Sequence, residues 1–213
     1  MKVAIAGGHG KIALRLTKLL SERGDEVISL IRNPDHAEDV REAGGEPVVC
    51  DLEEAEVGDV AKAIDAADAV VFAAGAGPGS GTARKETMDY GGAAKLIEAA
   101  KKRGIERYVM VSSMGADPDA EGDDSFSVYR RAKGRADQAL QESGLAYTIV
   151  RPTRLTDEPG TGKVTIGEGL ESSEIPRDDV AAVIAAVLAN PATAEWTFEL
   201  TSGDTPIEEA VTR

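Results

Sequence analysis

The chain is poor in the residues that build disulfides, metal sites and membrane spans. Its one cysteine in 213 residues, Cys50, excludes an intrachain disulfide and fits a reducing compartment. The two histidines, His9 and His36, share no ligand-like spacing with Cys50, so no metal site is expected. Basic residues are outnumbered 24 to 38 by acidic ones, for a net charge of −14. That balance opposes nucleic-acid backbones and anionic lipid surfaces, though not a local basic pocket for a small phosphorylated ligand. No apolar run is long enough to span a bilayer, and "MKVAIAGGHGK" meets glycines too soon for a signal peptide. The expectation is a cytoplasmic protein, monomer or homodimer, whose partner is a small molecule rather than a nucleic acid or a membrane. Part of the acid surplus lies in "DPDAEGDD", residues 117–124, which reads as a solvated loop.

What is present is an ordinary globular composition, 42% hydrophobic and 29% charged. The length suits one domain able to bury a core without staples. Nearly continuous apolar runs recur along it: "KVAIA" (2–6), "EVISLIR" (26–32), "PVVCD" (47–51), "AVVFAA" (69–74), "RYVMVSS" (107–113) and "YTIVRP" (147–152). Strands covered on both faces read this way. Helical segments fall between them at 11–23, 35–43, 57–66, 82–103 and 128–143, with Gly24, Gly104 and Gly144 as C-terminal caps. This β-α-β-α order predicts a three-layer, doubly wound parallel sheet. After Pro152 the periodicity weakens, and residues 153–213 form a small extension on the substrate side. It holds a short strand at 163–166, a helix at 177–189 and a strand, "TFELTS", at 197–202.

The first turn carries chemistry. "VAIAGGHGKIALRL" sets Gly7, Gly10 and Ala13 between the first strand and first helix, a G-x-x-G-x-x-A spacing. Gly7 permits the tight turn, Gly10 admits backbone close to a pyrophosphate, and Ala13 lets helix and strand pack closely. The loop Gly7-Gly8-His9-Gly10-Lys11-Ile12 then delivers free N–H groups to phosphate oxygens at a helix N-terminus. His9 can approach the phosphates or point to solvent. It is not a P-loop, because Lys11 is followed by Ile12 and Ile5 stands where the leading glycine would be. At the end of the second strand, Arg32-Asn33 replaces the acid that would accept hydrogen bonds from an adenosine ribose 2′-hydroxyl. An arginine there can pair with a 2′-phosphate, with Lys11 as a second positive charge, so NADP is favoured over NAD. Asp51 and Leu52 would flank the adenine, and the small Ala73, Ala74 and Gly75 would let the cofactor cross the sheet edge. Cys50 reads as inert core.

In "FSVYRRAKGRAD", Tyr129 and Lys133 share one helical face four residues apart. With the glycine turn and the "VSS" ending the fifth strand, the chain resembles the short-chain dehydrogenase/reductase superfamily. Within that superfamily it is similar to the compact atypical NAD(P)-binding, NmrA-like group. "DYGGAAKLIEAAKKRGIERYVMVSSMGA", "SGLAYTIVRPTRLTDEPGTG" and "IPRDDVAAVIAAVL" carry the likeness along essentially the whole chain. The resemblance implies a Rossmann-type fold with Ser113 holding the substrate oxygen and Tyr129 as general acid/base. It further implies that Lys133 holds the nicotinamide ribose hydroxyls and favours the phenolate, with Arg151, Pro152 and Thr153 bordering the nicotinamide. The relay asparagine of many superfamily members has no counterpart; that region reads Asp89-Tyr90-Gly91-Gly92.

The leading expectation is an NADP(H)-dependent oxidoreductase acting on a small carbonyl, alcohol or quinone- or flavin-like acceptor. The alternatives are a non-catalytic NADP(H)-binding redox sensor and, less favoured, an enzyme like the nucleotide-sugar epimerases and dehydratases. The segment from Thr153 to Ile175 and the loop 117–124 are expected to line the substrate pocket.

Overall fold

The computed structural model describes residues 1–77 and 79–212. Each apolar run becomes a strand: β1 Lys2–Ala6, β2 Glu26–Ile31, β3 Glu46–Val49, β4 Ala69–Phe72, β5 Arg107–Val111 and β6 Ala146–Pro152. Five more follow: β7 Arg154–Thr156, β8 Lys163–Gly167, β9 Glu174–Pro176, β10 Trp196–Ser202 and β11 Thr205–Pro206. The main sheet has the order β11-β8-β10-β6-β5-β4-β1-β2-β3. From β10 to β3 every pairing is parallel, while β8 is antiparallel to β10 and to β11. The chain winds outward from β1 through β2 to β3, then crosses back to β4 on the other side. That reversal opens a crevice beyond the C-terminal ends of the strands, where ligands of such sheets bind.

Helices cover both faces because the strands are apolar on both. One face carries α1 Lys11–Glu22, α7 Arg177–Ala189 and the short α8 Ile207–Ala210, closed over Val3, Ile5, Val71, Val109 and Val150. The other carries α3 Val57–Ala63, α5 Ala93–Arg103 and α6 Ser125–Gln141 over Ala4, Val70, Phe72, Tyr108 and Ile149. Side chains alternate between these two cores along each strand. The peripheral α2 Ala37–Glu42 follows a 3₁₀ turn at Pro34–His36 and leads into β3. Among the described residues no helix is long and apolar enough to cross a membrane.

Four expectations change. The segment after Pro152 is woven into the fold: β10 extends the parallel sheet beside β6, and α7 packs against α1. The helix expected over 82–103 is three pieces, α4 Thr82–Arg84, a π-helix Lys85–Gly92, and α5. The glycine pair Gly91-Gly92 sits in that wider turn, where an added Cβ at Gly92 would lie 3.1 Å from the Met88 sulfur. Next, α6 starts at Ser125 rather than 128, because the Asp124 carboxylate accepts from the Phe126 and Ser127 N–H groups at 2.9 and 3.1 Å. The loop before it is not simply solvated. Arg131 donates to the Ala120 and Gly122 carbonyls, and Gly134 of α6 leaves room for the backbone of Asp117 and Pro118.

Candidate cofactor and active site

A trough of three adjoining compartments, each sharing lining residues with the next, runs along the C-terminal edge of the parallel strands. The first, about 280 Å³, is walled by Gly7, His9, Gly10, Arg32, His36, Arg84 and Met88. The second, about 560 Å³, shares Ala73, Ala74 and Gly75 with the first and adds Ile12, Lys85, Asp89, Tyr129 and Lys133. The third, about 680 Å³, shares Ser112, Phe126, Tyr129, Leu155 and Arg177 with the second and adds Ser113, Met114, Pro152, Thr153 and Arg154.

The glycine loop is shaped by steric necessity. Gly7 has φ +79°, and a Cβ there would lie 2.6 Å from the Ala74 Cα. Gly8 backs onto β2: its N–H donates to the Leu30 carbonyl at 2.8 Å, and a Cβ would strike Ser29. Gly10 is the N-cap of α1, with no side-chain cap and no acid in the first turn. The N–H groups that open α1 therefore face the trough unshielded, next to the positive end of the helix dipole. This matches a pyrophosphate in charge and in donor supply.

At the far end of the first compartment, Arg32 is exposed and lies 3.7 Å from Glu53, while Arg84 donates to the same carboxylate at 3.0 Å and to the Ala76 carbonyl. Thr87 completes the Glu53 shell at 2.6 Å. Burial alone would raise the Glu53 carboxyl, but Thr87, Arg84 and Arg32 hold it below the ordinary carboxylate value. The two histidines, far apart in sequence, stack with ring centroids 3.6 Å apart, and His9 Nε2 lies 2.6 Å from Asp39. So His9 neither hangs in solvent nor stands alone over the loop.

Several expected residues sit elsewhere. Lys11 reaches Asp157 rather than the neighbourhood of Arg32. Asn33 caps the 3₁₀ turn by accepting from the Asp35 N–H at 3.0 Å. Asp51 caps Glu53 N–H at 2.9 Å and Leu52 is buried; neither is among the walls of the first compartment, which there are Arg84 and Met88. Arg151 faces a separate hollow with Gln141, Glu168 and Glu199. The third compartment takes Thr153, Arg154, Leu155 and Ser172 from the post-Pro152 segment but nothing from residues 117–124.

In the second compartment the helix brings Tyr129 and Lys133 together, with the Lys133 Nζ 6.0 Å from the Tyr129 ring centre. Lys133 is buried, donates to the Val111 carbonyl at 3.1 Å and pairs with Asp89 at 3.3 Å. Burial would lower its amine, but Tyr129, Asp89 and Asp137 outweigh that and hold it above the ordinary lysine value. Asp89 in turn accepts from the Ala76 N–H at 3.2 Å, fixing the loop after β4. The two serines diverge. Ser112 is buried and donates to Asp137 at 2.8 Å, whereas Ser113 is half-buried in the third compartment and donates to its neighbour Met114 carbonyl at 3.3 Å. Asp137 also receives Arg151 at 2.9 Å, and burial nevertheless pushes its carboxyl up.

Sequence reasoning missed Asp89, Asp137, Glu53, Arg84 and Lys85. The four-residue step from Lys133 to Asp137 on α6 was a readable signal for one of them. The others depend on the π-helix and on packing across the sheet.

A family model for NAD(P)H-binding proteins matches residues 7–191. The chain belongs to this NAD(P)H-binding family. Over 212 residues it is 40% identical to YhfK of Bacillus subtilis, a protein named as an uncharacterized sugar epimerase, covering 99% of each chain. A solved structure from Bacillus halodurans, classed by name with the NAD-dependent epimerases/dehydratases, superposes with a TM-score of 0.92 at 42% identity, covering 99% of this chain and 98% of that one. ChuY of Escherichia coli O157:H7, described as an anaerobillin reductase, superposes with a TM-score of 0.80 at 27% identity, covering 96% and 98%.

Proposed function

We propose that this family member is an NADPH-dependent reductase whose acid is Tyr129. One observation carries the reading: the compartment holding Tyr129 and Lys133 lies beside the glycine-loop hollow, with Ala73, Ala74 and Gly75 lining both. A dinucleotide laid from the one to the other brings its reactive end to the one phenol on the walls of the second compartment. When bound, NADPH supplies the hydride. The chain's own residues do the rest: the α1 N-terminus and Gly10 take the pyrophosphate, and Arg32 with Arg84 takes the 2′-phosphate. Lys133 presents a fixed positive charge beside Tyr129, and the Tyr129 hydroxyl gives its proton to the substrate oxygen as the carbon receives hydride. Ser113 faces the same cavity as a second donor to that oxygen.

Tyr129→Phe removes the proton donor and little else. Turnover of a carbonyl panel is expected to fall by about 10²- to 10⁴-fold while NADPH affinity is unchanged. Retained turnover would remove Tyr129 from this role, and a parent protein that binds NADPH tightly but turns over no acceptor favours a redox sensor. Arg32→Ala should weaken NADPH far more than NADH; equal losses would refute the 2′-phosphate assignment.

The names of the Bacillus relatives support a second reading, epimerase-like chemistry, in which the cofactor is regenerated within each cycle. Net consumption of NADPH, followed at its absorbance band, separates the two.

A further inference from the structure

Charge in the trough is the reverse of charge on the rest of the molecule. The chain carries 38 acidic and 24 basic residues. Yet the second and third compartments are lined by Lys85, Arg130, Lys133, Arg154 and Arg177 against a single carboxylate, Asp89. Four of these cations are already paired: Lys133 with Asp89, Arg130 with Asp117, Arg154 with Glu174 and Arg177 with Asp157. Lys85 differs. It is only 9% exposed, and among the described residues it has no carboxylate partner, only the Ser80 carbonyl at a long 3.4 Å. An ammonium taken from water without a counter-charge is costly, and an arriving anion relieves that cost. Its backbone is the first residue of the π-helix, a form that recurs at functional sites.

The apolar half of the recognition is equally local. Of the large apolar side chains left exposed among the described residues (Met1, Leu19, Val49 and Phe126), only Phe126 lines the trough, and at 65% it is the most exposed. It stands at the start of α6, three residues before Tyr129, on the wall shared by the second and third compartments. A bare ring at the mouth of a reaction chamber is a platform for a flat partner.

We infer that the substrate is a planar conjugated compound bearing a carboxylate, its π-face on Phe126 and its anion on Lys85. The inference rests on the trough being the reductase site, and it names the substrate class for it.

2-Naphthoate serves as a probe against its neutral counterpart 2-naphthylmethanol. Both are titrated into the full chain by calorimetry, with and without saturating NADP⁺, whose own binding is measured separately. The parent should prefer naphthoate by about tenfold, the worth of one charge-assisted hydrogen bond. Lys85→Gln should abolish that preference while leaving NADP⁺ affinity within twofold, and Lys85→Arg should retain it. Phe126→Ala should weaken both probes together by about three- to tenfold. The assignment is overturned if the parent shows no preference, if the preference survives Lys85→Gln, or if Phe126→Ala changes neither probe. It is also overturned if Lys85→Gln weakens NADP⁺ instead, because the lysine then reads the cofactor. Failure of NADP⁺ to bind the parent strikes the reductase reading, and the naphthoate titrations of the cofactor-free chain still decide the present point.

Discussion

Replacing Asp89 by Asn tests the ion pair at the centre of the trough. The side chains of Lys133 and Asp89 are 5% and 2% exposed and their charged atoms lie 3.3 Å apart, so water screens them little. Asn preserves the shape, so the loss is of charge rather than volume. Removing one partner of a buried pair costs about 3–5 kcal/mol. The Val111 carbonyl at 3.1 Å still accepts from the stranded ammonium, which argues for the lower end, about 3 kcal/mol. In a chain of this length that lowers Tm by about 6–12 °C. Lys133→Met should cost a similar amount, because it leaves the Asp89 carboxylate with the Ala76 N–H. The double variant should cost clearly less than the sum, with a coupling of about 2 kcal/mol. Urea unfolding of the four proteins measures this, and a coupling under about 0.5 kcal/mol would refute the reasoning. The pH dependence has a fixed sign. The Lys133 amine is raised in the folded state, so its contribution is complete below the unfolded lysine value of about 10.4 and lost as pH rises through the folded value. The penalty of Asp89→Asn should therefore be flat from neutral pH upward and shrink only beyond the ordinary lysine range.

Glu53→Gln removes the carboxylate that Arg32 and Arg84 share, freeing both guanidiniums for a 2′-phosphate. NADPH should bind about tenfold tighter, with NADH within twofold, because the charge removed acts on the dianion alone; a loss of NADH affinity would instead mean that Glu53 accepts from the ribose hydroxyls. Gly7→Ala combines φ +79° with a Cβ 2.6 Å from the Ala74 Cα, and should destabilise by about 2–3 kcal/mol. Gly81→Ala, with φ −64° and nothing within 4 Å, is the matched control and should leave the melt unchanged.

The parallel core was legible because each of its strands is an apolar run between polar helices, a pattern set by burial on both faces. The α7 range 177–189 was also read to the residue, as "RDDVAAVIAAVLA" runs from an acidic first turn to Asn190. What escaped depends on contacts distant in sequence. The strand β10 joins the parallel sheet through its register with β6, Phe198 against Val150, which no local periodicity reports. The π-helix turns Lys85, Met88 and Asp89 toward the trough, whereas an ordinary helix over 82–103 implied no special place for them. Glu53 belongs to no motif in the sequence; only the fold brings it against Arg32, 21 residues before it, and Arg84, 31 after.

The placement of Lys133 also narrows what it can do. A lysine ammonium has three N–H donors. Two are directed at the Val111 carbonyl and the Asp89 carboxylate, which leaves one for a ligand in the trough. The resemblance gives Lys133 the ribose hydroxyls, and the fold leaves it one uncommitted N–H with which to meet them. What Lys133 retains in full is its charge, anchored by Asp89 in a buried setting where it acts on Tyr129 more strongly than a mobile surface lysine could. Asp89 thus occupies the region that holds the relay asparagine in the superfamily the motifs resemble, and it does different work. An asparagine would leave the ammonium without a counter-charge, whereas a carboxylate keeps it protonated and oriented before any ligand arrives.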